Sequence, residues 1–106
     1  MAKGILYVES EPNSPEEAAA YHDWYENTHL TEMLGVDGFI AARRFEPIAD
    51  DGPFVAIYEI EAEDIAAVQA RLGEATRAGA FSAPVGLRTD RPPTTRFLRQ
   101  IHTRTA

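Results

Sequence analysis

The apolar positions of this chain change period along its length, and the changes mark out six elements. Gly4 to Glu9 (GILYVE) sets four apolar residues in a row and reads as a short strand. Ser10 to Asn13 turns the chain, and a helix begins at Ser14. Ser14 suits the N-cap, Pro15 the first helical position, and Glu17 closes a capping box. Glu16 and Glu17 add negative charge at the positive end of the helix dipole. The helix runs to Leu34, where Gly35 is expected to close it in the left-handed conformation. At about 100° per residue, Ala18, Tyr21, Tyr25, Thr28 and Met33 share one arc with His22, His29 and Glu32, while Glu26 and Asn27 drift to its edge. A helix that only packs fills such an arc with Leu and Ile. Rings and titratable groups in that place predict a cavity beneath the helix.

Phe39 to Glu46 (FIAARRFE) reads as the second strand and Phe54 to Glu61 (FVAIYEIE) as the third. The loop between them, Pro47 to Pro53, carries the turn signal Asp51-Gly52, which predicts a hairpin. Ala62 to Gly79 gives a second helix with Ile65, Val68 and Leu72 as its apolar stripe, slightly weakened by Gly73. Ala80 to Pro93 is a connection punctuated by Pro and Gly, and Thr95 to Thr103 is the last strand.

The order β-α-β-β-α-β, with right-handed crossovers, predicts one domain over residues 1–106. Its fold class is α+β, ferredoxin-like: a four-stranded antiparallel sheet with both helices on one face. The first and third strands have apolar residues at consecutive positions, which suits a sheet covered on both sides. The helices cover one side. A second copy's sheet is the simplest cover for the other, so a homodimer through sheet faces is expected.

Composition narrows the partners. The chain is 44 % hydrophobic, outside the range of compositional disorder, and its 106 residues suit one modest core. It has no cysteine, so disulfides and thiolate metal sites are ruled out. No apolar run is long enough for a secretion signal or a membrane span, so a soluble cytoplasmic protein with no membrane partner is expected. The net charge of −7 sits in residues 1–42, where Lys3 alone opposes Glu9, Glu11, Glu16, Glu17, Asp23, Glu26, Glu32 and Asp37. That half repels a phosphate backbone, and the basic stretch from Arg88 to Arg104 lacks an aromatic stacking pattern, so no nucleic-acid partner is expected. The chain has no phosphate-binding glycine loop, nucleophile elbow or dinucleotide fingerprint. Proton-transfer chemistry, or oxygen chemistry performed by the substrate itself, is what those absences leave.

The segment YHDWYENTHLTEML, followed by GVDGFIAARRFE and later by FVAIYEIE, resembles the EthD-like branch of the dimeric α+β barrel superfamily. The match is carried by residues 4–61 and beyond them by the order of elements. The resemblance implies a ferredoxin-like protomer whose sheet faces a partner's sheet, with a ligand cleft between sheet and helices. Its relatives include cofactor-free monooxygenases, polyketide cyclases, lactone isomerases, decarboxylases and haem-degrading enzymes. The family histidine falls on His29 and its aromatic neighbours on Trp24 and Tyr25.

His29 is the leading candidate, since an imidazole gives or takes a proton near neutrality. The competing reading is a polar residue bonding a carbonyl at the helix end. His22, two turns earlier, is a second base or orienting group, or else a half-exposed residue on the helix shoulder. His22, Glu26 and His29 have the spacing of a metal-ligand set, but that spacing often arises by chance, and no metal is expected. Tyr21, Trp24 and Tyr25 wall an aromatic substrate or simply pack the core, and the Tyr25 hydroxyl suits a developing enolate. Tyr7 and Tyr58 lie mid-strand within reach of a cleft, and His102 is a candidate second proton carrier. Arg43 and Arg44 point to opposite faces; Arg44 is the candidate for a substrate carboxylate or phenolate. Glu32 pairs with an arginine or orients a histidine.

The expected function is a small dimeric enzyme that uses no cofactor. It performs proton-transfer chemistry of the cyclase, isomerase, decarboxylase or oxygenase type on an apolar cyclic or polyketide-like metabolite. The alternatives are a non-catalytic carrier of such a ligand, and a haem protein with His29 or His22 as axial ligand.

Overall fold

The computed structural model describes residues 1–106. Its strands are β1 (Ala2–Ser10), β2 (Phe39–Phe45), β3 (Phe54–Ala62) and β4 (Thr94–Arg99). The first helix comprises a 3₁₀ turn (Pro15–Glu17), α1 (Ala18–Trp24), a π-helical turn (Tyr25–His29) and α2 (Leu30–Leu34); the second is α3 (Ile65–Arg77). The sheet order is β2-β3-β1-β4 and every pairing is antiparallel. The predicted α+β architecture is the observed one.

Alternation along each strand decides which residues meet the helices. Leu6, Val8 and Ser10 of β1 and Ala56, Tyr58, Ile60 and Ala62 of β3 are buried on the helix face. Ile65 and Val68 of α3 and Tyr21, Trp24, Tyr25 and Met33 of the first helix close over them. The opposite face carries Ile5, Tyr7, Val55, Ile57 and Leu98, all half-buried in the single chain. Arg43 on this face pairs with Glu59 at 2.9 Å, and Arg96 stands opposite Tyr7 there.

The Ser14 cap forms as expected: its hydroxyl accepts from the Glu17 amide and donates to the Glu17 carboxylate. Three other expectations are corrected. Gly35 ends the first helix in right-handed geometry, φ −75°; the positive φ comes later, at Gly38, +108°. A Cβ at Gly38 would lie 2.5 Å from Val68 Cγ2, so that position needs glycine for both conformation and space. The expected β2–β3 hairpin forms, and within its loop the Asp50 carboxylate accepts from the Gly52 amide at 2.8 Å. β4 stops at Arg99, because Arg99 already faces Gly4 and its partner strand has almost run out. Last, the first helix is not uniformly α: the Leu30 amide bonds the Tyr25 carbonyl five residues back. Such a turn holds one residue more than an α turn, so it rotates everything beyond it by about 100° relative to a plain wheel.

Candidate functional site

A cavity of about 440 Å³ lies between the first helix, the sheet and α3. Trp24, Tyr25, His29 and Met33 form its roof, Leu6, Val8, Ser10 and Tyr58 its floor, and Leu72 and Thr76 one side. The segment from Phe81 to Leu87 closes another side. Most of the wall is apolar, so each polar atom on it is costly to leave bare.

Three polar atoms are bare. Trp24 Nε1, His29 Nδ1 and the Tyr58 hydroxyl are buried without a hydrogen-bond partner, and all three residues line this one cavity. The π turn helps to place them, since it begins at Tyr25 and ends at His29. The His29 imidazole stacks on the Trp24 indole, centroids 4.7 Å apart, and meets Tyr25 edge-on at 5.2 Å. Burial lowers the His29 pKa below its ordinary value, against the smaller opposing pull of Glu32, so the ring is neutral at pH 7. Burial likewise raises the Tyr25 and Tyr58 phenols; Tyr25 raises Tyr58 further, whereas the Tyr58 hydroxyl pulls Tyr25 part of the way back, and both stay protonated and able to donate. A neutral imidazole and two phenols facing an apolar space can move a proton and hold an oxyanion.

The other expected groups lie elsewhere. His22 is outside the cavity; Arg44 Nη1 lies 3.1 Å from its Nδ1, and a guanidinium only donates, so that nitrogen is an acceptor already occupied. Burial and the Arg44 charge lower its pKa. The phase shift of the π turn is why His22 and His29 part company, and no three His, Asp or Glu side chains gather into a metal site. Arg44 stands behind the wall, bonded to Glu26 at 3.0 Å and lying over the Tyr25 ring at 4.3 Å. Tyr21 is fully buried behind the same wall with its hydroxyl 2.6 Å from Ser10 Oγ. Tyr7 points to the opposite face of the sheet, where its hydroxyl donates to Glu9 at 2.9 Å. His102 follows the end of β4 and is exposed. Glu32 pairs with no arginine: its carboxylate accepts from the Ser82 amide and hydroxyl, the latter at 2.7 Å.

Ser10 and the Phe81–Leu87 segment were missed from the sequence. Alternation put Ser10 on the same face as Leu6 and Val8, but apolar residues on both faces of β1 left open which face is buried. Phe81 and Leu87 had a signal, as apolar residues in a stretch otherwise read as a connection. The segment is tied down at both ends, by Glu32 to Ser82 and by the Asn13 amide to the Gly86 carbonyl at 2.7 Å.

No family model matches the chain, and no curated protein does. The chain is similar to a solved structure from Shewanella loihica PV-4 described as a "putative monooxygenase", with a TM-score of 0.61 and 16 % sequence identity. The likeness covers 97 % of this chain and 99 % of that one. At that identity it establishes the fold: a small ferredoxin-like α+β sheet carrying two helices on one face.

Proposed function

We propose that this protein is a small cofactor-independent enzyme of the EthD-like kind. It moves a proton next to a carbonyl or phenol in an apolar cyclic or polyketide-like metabolite. The observation that carries this is three unpaired buried polar atoms on three residues that line one apolar cavity. Core packing alone gives no reason to leave a donor such as Trp24 Nε1 and a phenol such as Tyr58 unsatisfied together. In this reading His29 Nδ1 removes or returns the proton, and Tyr25, Tyr58 and Trp24 Nε1 hydrogen-bond the resulting oxyanion. Cyclisation, isomerisation, decarboxylation and reaction with oxygen all start from such an anion, and the substrate decides among them.

The test needs no knowledge of the natural substrate. 2-Tetralone, a bicyclic ketone, exchanges its α-protons for deuterium in D₂O at a rate readable by NMR. The wild type is expected to accelerate exchange, and His29→Ala is expected to lose the acceleration while still binding the ketone. Binding without acceleration in the wild type would favour a carrier. A Soret band after aerobic purification would overturn the cofactor-free reading in favour of haem, with His29 as axial ligand, since His22 is held by Arg44 outside the cavity.

The apolar residues in the middle of the outer face support a homodimer within the same proposal. The single chain exposes 7054 Å², against roughly 5,900 Å² for a compact monomer of its 11.7 kDa mass. Pairing of two sheets through Ile5, Tyr7, Ile57 and Leu98 would cover the half-buried apolar residues of that face.

A further inference from the structure

Behind the cavity wall runs a chain of polar groups that the proton transfer leaves unused. Arg44 has a side chain only 11 % exposed. Its Nη2 points at the Tyr21 hydroxyl from 3.5 Å, and that hydroxyl is 2.6 Å from Ser10 Oγ on the cavity wall. Donor inventory gives the chain a direction. A guanidinium has no acceptor, so the Tyr21 oxygen turns its lone pair towards it. The single Tyr21 proton then goes to Ser10 Oγ. That leaves the proton of Ser10 for the cavity, or for Tyr25 beside it, whose own proton then faces the cavity. Either way the chain ends in a donor.

The charges around it do not cancel this polarity. From the first helix, Glu26 and His22 both take Arg44 Nη1, and Glu26 does so with its side chain 58 % exposed, on the solvent side. Glu46 at the end of β2 acts on His22, and the groups facing from β3 and the first helix, Tyr58 and Tyr25, are neutral phenols. No carboxylate lines the cavity.

We infer that Arg44, Tyr21 and Ser10 give the cavity an oxyanion subsite that selects ligands bound as the ionised form of an acidic phenol or enolised dicarbonyl. Arg44 and Tyr21 are positioning residues in it, and Ser10 is the contact. The inference rests on the cavity being the ligand site, and its test separates the two.

The probes are 4-nitrophenol, whose absorbance distinguishes phenol from phenolate, and 4-nitroanisole, its methyl ether, titrated into the full chain. Bound nitrophenol is expected to ionise at lower pH than free nitrophenol. Tyr21→Phe and Ser10→Ala are each expected to cut the preference for phenolate over ether roughly tenfold, with the ether's affinity unchanged. The double variant is expected to lose no more than the worse single one, because both interrupt one chain. Arg44→Lys, which keeps the charge, is expected to retain part of the preference. Equal loss of phenolate and ether, or additive losses, would reduce the chain to core packing. Binding of the ether without easier ionisation of the phenol in the wild type would remove the subsite alone. Failure to bind either probe would remove the cavity reading with it.

Discussion

The imidazole of His29 lies against the indole of Trp24, with ring centroids 4.7 Å apart and planes 26° from parallel. Each ring buries one nitrogen without a partner. The indole nitrogen is a donor at every pH, whereas a neutral imidazole protonated at Nε2 offers Nδ1 as an acceptor. A ligand that presents an acceptor beside an acidic proton satisfies both atoms at once, which is the pattern of an enolisable carbonyl.

The acid limb of the reaction follows from the His29 environment. Burial lowers its pKa from the ordinary 6.5, so the base form persists into mildly acidic solution. The pH profile of tetralone exchange should fall with a midpoint below 6.5; a midpoint at or above it would assign the base to another group. Stability carries the same signature. Folded His22 and His29 both bind protons less readily than in the unfolded chain. Their contribution is therefore complete above 6.5 and is lost as pH falls through the interval down to the lowered values. Urea midpoints measured across that interval should show less slope in His29→Gln than in the wild type.

Tyr58 offers a trade of stability against activity. Its hydroxyl is buried and unpaired, so Tyr58→Phe removes an unsatisfied group and should raise stability by about 1 kcal/mol. If the hydroxyl holds an oxyanion, exchange activity should drop by roughly ten- to a hundredfold in the same variant. Unchanged activity in a more stable protein would make Tyr58 a core residue only.

The Glu32 carboxylate holds Ser82, and with it the start of the segment that closes the cavity. Ser82→Ala should hasten ligand release several-fold and speed amide hydrogen exchange across residues 81–87. The bonds from Ser82 hold the Glu32 pKa below its ordinary 4.5. The latch is therefore intact above 4.5 and is released only as pH falls through the lowered value. Release kinetics that ignore both the substitution and the pH would show that ligands enter by another side.

Ile57 lies on the sheet face away from the helices, paired with Tyr7 across the strands. Ile57→Arg places a charge in the middle of that face and should convert a dimer into a monomer in analytical ultracentrifugation. A wild type that sediments as a monomer would remove the dimer from the proposal and leave the cavity untouched.

Element order and type were legible because they are set by local chemistry. The Ser14–Glu17 cap, the stripe of Ile65 and Val68, and the apolar runs of β1 and β3 act over a few residues, and each element formed where those signals placed it. Tyr25 and His29 stood out for a related reason: rings occupied an arc where aliphatic packing is the norm. The sequence could not show the π turn, since Tyr25–His29 carries no Pro or Gly and its extra residue is settled by packing against the sheet. That one residue separates His22 from His29 and sends the first to Arg44. Nor could it show which face of β1 meets the helices, because apolar residues occupy both. Tertiary pairing turned Ser10 inward and Tyr7 outward, and register with β1 ended β4 before His102. Periodicity is a property of one segment, and the chain alone determined it; convergence on a cavity depends on the relative phase of several segments, which only their packing could decide.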